Sequence, residues 1–456
     1  MRWLVYNVLF TVAWLAALPH FLRRMLRRGG YRKNFLQRVG VFSPATRRSL
    51  AARRRIWLHA VSVGEIYVAL RFTEEFRRVV PGSSFVVTTT TSTGHRVASA
   101  GLSADDVLLY FPVDFPSVVR RVLRVVNPAA LILTECELWP NLIRLAAAGG
   151  IPVFLINGRI SDKSFRGYRA LRMFFGPVLR SMDLLLAQSR EDQRRLAAIG
   201  ADPRRIHVLG TAKYDVPGPG PEREREGRAV LRAAGIDPQD AVLVGGSTWP
   251  GEEEILLRLL RRLAPVLPGL RLVLVPRHAE RRREVESVIT AHGCACVRRS
   301  ELRGGAPRAG DPSDVLLVDT TGELVNFYAC ATAIFVGKSL TSRGGQNIIE
   351  PALFGKPIVV GPHTGNFAAV VADFLAADAI VQVRDAVELE QRLRSLLTDP
   401  ASAAALGARA RALVEARRGV VAESVRRIGA VIRGPSGVGS EESPPAGRCT
   451  GPRSTG

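Results

Sequence analysis

From residue 56 onward the chain repeats one pattern: a short apolar run ending in small or polar residues, then an amphipathic stretch of helical period. The runs fall at 56–62, 85–91, 106–112, 130–134, 151–157, 184–188 and 206–210, with helical stretches at 65–79, 116–126, 138–148 and 190–199 among them. Strands read as continuous apolar runs when helices cover both faces of their sheet, so the pattern predicts a parallel, doubly wound sheet. The segment 216–228, VPGPGPEREREGR, breaks every periodicity with three prolines and a charge run, and reads as a linker. Beyond it the alternation restarts, at 241–247, 270–276, 314–319, 332–336, 357–361 and 379–383. Two doubly wound α/β domains facing a central cleft are expected, with ligands at the carboxyl ends of the strands.

Two such domains fit a length of 456 residues, and a hydrophobic fraction of 47% excludes a chain disordered throughout. Five cysteines without a CxxC pair argue against a zinc ribbon or a disulfide framework and fit a reducing compartment. The formal charge is +23, unevenly placed: residues 1–64 hold 13 Lys or Arg and no acid, Glu65 being the first carboxylate. Residues 3–18 are apolar apart from Asn7 and Thr11; only Arg2 precedes them, whereas Arg23, Arg24, Arg27, Arg28, Arg32 and Lys33 follow. A signal peptide has the opposite order. An uncleaved membrane-anchoring helix is therefore expected, spanning or lying in the interface, with the rest of the chain on the cytoplasmic side and the basic flank against an anionic membrane surface. A nucleic-acid partner is not expected, because the charge follows the apolar segment and is not interleaved with stacking aromatics. The expected organisation is an anchor and basic flank at 1–30, domains at 31–215 and 229–433, a linker at 216–228 and a disordered tail at 434–456. Since the alternation begins only near residue 56, the first 20 residues are expected to be dispensable for folding.

The unusual residues cluster just after the apolar runs. In HAVSVGE (59–65), Gly64 allows close backbone approach and Glu65 opens a helix. Such a carboxylate either complements the helix dipole or takes the proton of an incoming hydroxyl. TECELWPN (134–141) sets Glu135 and Glu137 two residues apart after a strand, with no His or third acid nearby to make a metal site. NGRISDKS (157–164) offers Arg159 to an anionic group. GTAKYD (210–215) carries Lys213, one of only five lysines among 64 basic residues, as a counter-charge or an ordinary surface lysine.

In the second half, GGSTWPGEEE (245–254) is strand, small-residue turn with Ser247, then helix, a start that suits phosphate or carboxylate. VPRH (275–278) puts Pro276 and Arg277 at the next strand end, and DTTGEL (319–324) repeats the theme. GGQNIIEPALFGKPIVVGPH (344–363) carries Asn347 and Glu350, either a capping box or a nucleotide contact in which Glu350 accepts from ribose hydroxyls. Four such motifs in one domain predict a nucleotide site. There is no GxxxxGK[ST] loop, which argues against a kinase or ATPase, and no Asp-x-Asp pair of the kind a metal-dependent nucleotide-sugar enzyme uses. Neither a metal nor a cofactor is expected, leaving backbone dipoles and basic side chains to stabilise a leaving group.

HAVSVGE, TECELWPN, GTAKYD, VPRH, TTGEL and GGQNIIEP followed by GPHTGNF, in this order, closely resemble the Kdo transferases of lipopolysaccharide core assembly, as does YRKNFLQRVG (31–40). Kdo is 3-deoxy-D-manno-octulosonic acid, an acidic eight-carbon sugar. The resemblance spans residues 1–430. It implies a GT-B fold of two Rossmann-like domains, the first binding the acceptor and the second the CMP-sugar. It further implies metal-independent transfer of Kdo from CMP-Kdo to a lipid A precursor, lipid IVA, at the cytoplasmic side of the inner membrane. By motif, Glu65 would accept the proton and Glu135 and Lys213 would support the transition state. Pro276, Arg277, Thr321, Gly322, Glu323, Asn347, Ile348, Ile349 and Glu350 would contact CMP, with Arg159 and Ser247 as further substrate contacts. The chain departs from the family pattern at Gln346, where His is usual, at Lys338, in place of a small residue, and at Gly365, in place of Phe. Another GT-B transferase, or an epimerase using a UDP-sugar, is the alternative; donor preference separates the two.

Overall fold

A computed structural model describes residues 1–28, 34–216, 218, 220–302 and 314–433. The expected disordered tail, and Arg32 and Lys33 of the basic flank, lie outside the described residues. The chain divides into two compact units, residues 1–212 with 419–456, and residues 213–418.

The first unit holds β1 (Ile56–His59), β2 (Phe85–Thr89), β3 (Val107–Tyr110), β4 (Ala130–Thr134), β5 (Val153–Gly158), β6 (Leu184–Ala187) and β7 (Ile206–Val208). They form one parallel sheet in the order β3-β2-β1-β4-β5-β6-β7. The second unit holds β8 (Ala241–Thr248), β9 (Leu270–Pro276), β10 (Cys296–Arg298), β11 (Val315–Leu317), β12 (Ala333–Val336), β13 (Ile358–Val360) and β14 (Val381–Gln382). Its sheet is also parallel, in the order β10-β11-β9-β8-β12-β13-β14. The period of two explains the unbroken apolar runs. Trp57, Leu131, Leu133 and Leu155 pack into one core, while the alternating Leu58, Ile132, Phe154 and Ile156 pack into a second on the opposite face. In the second unit, Val242, Val244, Ile334 and Val336 face one core and Leu243, Ala333 and Phe335 the other. Each fully buried aliphatic side chain contributes about 1.5–3 kcal/mol of burial free energy, so both faces of each sheet must be covered.

Four expectations change. The segment read as a linker carries a helix, Pro221–Ala233. Pro221 stands in its first turn, the charge run supplies a Glu224–Arg228 pair four apart, and Gly227 packs against Asn326. The second domain does not run to 433: the helix Val420–Arg433 belongs to the first unit, with Val420, Val421, Val425 and Ile428 in its core. Strand β10 was not expected, because three edge residues with a terminal arginine show no period.

The fourth change concerns the N-terminal helix, Arg2–Arg28, which does not stand apart from the fold. Phe10 and Trp14 meet Phe115 at 5.4 and 5.5 Å between ring centroids, and Tyr6 meets Phe174 at 6.0 Å. The Tyr6 hydroxyl donates to Asp114 Oδ2 (3.2 Å), and Asn141 Nδ2 donates to Asn7 Oδ1 (2.8 Å). Removing these residues would uncover Phe115 and Phe174, which weighs against the expectation that the first 20 are dispensable for folding. The other side of the helix leaves Leu4, Val5, Val8, Leu9, Val12 and Leu15 exposed.

Candidate active site

Chain progression reverses on either side of β1 in the first sheet and of β8 in the second. Loops leaving the neighbouring strands diverge there, opening a crevice at the carboxyl ends. In the first unit those loops follow β1 and β4; they are HAVSVGE and TECELWPN.

Ser62 caps the helix Val63–Val79 and forms a capping box with Glu65. The Glu65 carboxylate accepts from the Ser62 and Val61 backbone N–H groups (3.1 and 3.0 Å) and lies 2.8 Å from the Thr134 hydroxyl at the end of β4. It is 7% exposed. The helix-start role expected of Glu65 is thus present, and the same bonds fix the carboxylate at the switch point.

Glu135 follows Thr134 with φ 51°, a left-handed backbone rare for a residue with a Cβ, and its N–H is held by the Ile156 carbonyl (3.0 Å). Glu137 Oε2 accepts from the Trp139 indole (2.9 Å). Burial first, then the charges of Glu137, Glu135 and Glu65, push the Cys136 thiol up to about 11. Three carboxylates therefore surround one short turn. His59 is fully buried, stacked on Phe111 with 3.7 Å between centroids, and its Nε2 lies 3.6 Å from Glu137 Oε2. At 0% exposure His59 is less accessible than Glu65. Arg159 is exposed beyond the end of β5.

Lys213 belongs to the second unit, where its Nζ lies 5.1 Å from the Phe367 ring centroid. The residues expected to act together therefore divide between the units: Glu65 and Glu135 in one, Lys213 in the other.

In the second unit, Ser247 has φ 54° near the end of β8, and the Arg277 N–H bonds to the Thr248 carbonyl (3.1 Å), leaving its guanidinium exposed just past Pro276. Thr321 and Gly322 are exposed beyond β11, but Glu323 is paired with Arg299 (2.9 Å) and bonded to Thr320. Asn347 Oδ1 accepts from the Ile349 N–H (3.0 Å) at the start of the short helix Ile349–Ala352, which carries Glu350. Ile348 and Ile349 are corrected: their side chains lie in the core, so only their backbone could meet a nucleotide.

Sequence reasoning missed Glu252. This carboxylate, 1% exposed, accepts from four backbone N–H groups: Trp249 (2.9 Å), Lys338 (2.8 Å), Ser339 (3.0 Å) and Leu340 (3.0 Å). It ties the turn after β8 to the turn after β12 at the switch point. Burial pushes its carboxyl above the ordinary range, against the pull of those four bonds. The only signal in the sequence was an acidic triplet at a helix start, common to many helices. Among the described residues, no three His, Cys, Asp or Glu gather as a metal site.

Two parallel doubly wound sheets, each with polar residues at its switch point, define the two-domain α/β class to which GT-B enzymes belong. A protein from Listeria monocytogenes described as a UDP-N-acetylglucosamine 2-epimerase has this fold, with a TM-score of 0.52 at 11% identity over 83% of this chain and 97% of that one. The family described as 3-Deoxy-D-manno-octulosonic-acid transferase (kdotransferase) matches residues 33–216. A 3-deoxy-D-manno-octulosonic acid transferase from Bordetella pertussis is 35% identical over 409 residues, covering 87% of this chain and 92% of the relative. One from Haemophilus influenzae is 30% identical, covering 83% and 86%. The chain belongs to the 3-deoxy-D-manno-octulosonic acid transferase family and is a glycosyltransferase, as its motifs led us to expect.

Proposed function

We propose that the protein transfers Kdo from CMP-Kdo to a lipid A precursor, lipid IVA, in lipopolysaccharide biosynthesis, without a metal or cofactor. The observation that carries this reading is the Glu65 carboxylate, held at the switch point of the first sheet in a chain of this family. The acceptor oxygen attacks the anomeric carbon of Kdo as the bond from that carbon to the phosphate oxygen breaks. The hydroxyl proton passes to Glu65, and CMP leaves with the electron pair. Glu135 and Lys213 support the transition state. Arg277 and the backbone around Gly322 and 347–350 hold CMP, with Ser247 and Arg159 as further substrate contacts.

The reaction takes place at the cytoplasmic face of the inner membrane. The N-terminal helix lies in the interface, its aromatic side docked on the protein and its exposed apolar side in lipid. The acid-free segment 1–64 faces the anionic surface and the phosphorylated acceptor.

Purified protein incubated with CMP-Kdo, lipid IVA and EDTA should yield lipid heavier by whole Kdo units in mass spectra. Arg277→Ala should weaken CMP binding about tenfold. Transfer from a UDP-sugar instead, or loss of transfer in EDTA restored by a divalent metal, would overturn the reading.

A further inference from the structure

Lys338 directly follows the Gly337 that ends the β12 loop's approach to Glu252, and it has φ 54°. A left-handed backbone is disfavoured for any residue with a Cβ, and such positions persist where the surrounding structure imposes them. Here the imposing group is Glu252, which bonds the N–H of Lys338 and of the next two residues. The side chain is directed with equal firmness. Its stem passes over Gly344, where a Cβ would stand 3.3 Å from Lys338 Cε and 3.1 Å from Asn366 Nδ2. Its Nζ rests 4.5 Å from the centroid of the Trp249 ring, which meets the His278 ring at 5.3 Å. An ammonium is thus held in a wall made by the ends of β8, β9 and β12, on a ring two residues past Ser247 that meets the neighbour of Arg277. An aromatic face orients a cation without neutralising it, leaving its charge available to a ligand. No carboxylate pairs with Lys338 among the described residues.

We propose that Lys338 is a specificity-determining residue of the donor site, binding an anionic oxygen of the sugar nucleotide. The inference rests on the donor assignment above. Two groups on CMP-Kdo offer that chemistry: the carboxylate of the sugar and the phosphate of the nucleotide. Glu252 acts as a positioning residue, since it sets the backbone from which the lysine projects.

The test uses the full chain with three substitutions, measuring CMP affinity by calorimetry and the KM for CMP-Kdo by lipid mass shift. Lys338→Met and Lys338→Gly should both raise KM about tenfold, whereas Lys338→Arg should stay within about threefold of the parent. Lys338→Gly relieves the left-handed backbone, so its melting temperature should equal or exceed that of the parent, which separates loss of charge from loss of fold. Unchanged CMP affinity with raised KM assigns the contact to the sugar carboxylate; a parallel loss of CMP affinity assigns it to the phosphate. If the parent binds CMP and transfers Kdo, yet the glycine and methionine variants match it, the proposal is wrong. A parent that binds no CMP overturns the donor assignment, and the lysine contact falls with it.

Discussion

The capping role observed for Glu65 and the proton-acceptor role proposed for it can be pulled apart. Its carboxylate receives three donors, so an amide in its place must turn an NH2 toward at least one N–H or O–H. Glu65→Gln should therefore cost about 1–2 kcal/mol of stability, and as the loss of a general base it should lower turnover by about 10²–10⁴. Ser62→Ala removes the reciprocal half of the capping box and should cost about 1 kcal/mol, while turnover changes by less than about threefold because no proton acceptor is lost. Melting curves beside turnover numbers check the pair; equal turnover losses in both variants would show that Glu65 acts only as a cap. This duality was visible in HAVSVGE because a cap is a matter of local spacing. Glu252 was not visible, since three of its four donors come from residues 86 to 88 positions away, joined only when β8 and β12 pair. Ile348 and Ile349 show the reverse failure: their motif was legible, but the burial of their side chains depends on helices elsewhere in the unit.

At the scale of elements, Asp114 joins three pieces. It accepts from the Asn141 and Leu142 N–H groups (2.9 and 2.8 Å) at the start of the helix Pro140–Ala148, and from Tyr6 of the N-terminal helix. Burial raises its carboxyl to about 7, outweighing those hydrogen bonds. In the unfolded chain an aspartate titrates near ~3.9, so between that value and about 7 folding takes up a proton. The stability this proton contributes is present at low pH and is lost as pH rises through about 7. Melting temperatures measured from pH 5 to 8 should fall more steeply in the parent than in Asp114→Asn; parallel slopes would refute the assignment. The sheets themselves were legible, because strands buried on both faces must be apolar throughout. The helix Pro221–Ala233 was not, since its charges pair at i, i+4 while three nearby prolines mimic a linker.

At the scale of the whole molecule, the two units differ in how they are encoded. The second, 213–418, is one continuous segment, whereas the first is assembled from 1–212 and the helix Val420–Arg433. That helix places Val425 and Ile428, both fully buried, against the helix Val63–Val79 and its sheet. The charge asymmetry follows the same division, since the acid-free segment lies wholly in the first unit.

This division has a consequence for synthesis. A ribosome completes every strand of the first sheet before it begins the second, yet the helix that closes the first core emerges only after residue 418. For that interval one apolar face of the nascent sheet, covered by the helix Val63–Val79, still lacks the part of its cover that Val420, Val421, Val425 and Ile428 supply, and the continuous second unit can finish folding first. Expressed alone, 213–418 should unfold as a single cooperative transition, whereas 1–212 should aggregate until a segment carrying 419–433 is supplied. Circular dichroism and sedimentation of the three fragments would reveal the order, and a 1–212 fragment that melts cooperatively by itself would contradict it. The same topology makes the second unit a cassette inserted in the first, exchangeable between relatives at two junctions rather than one.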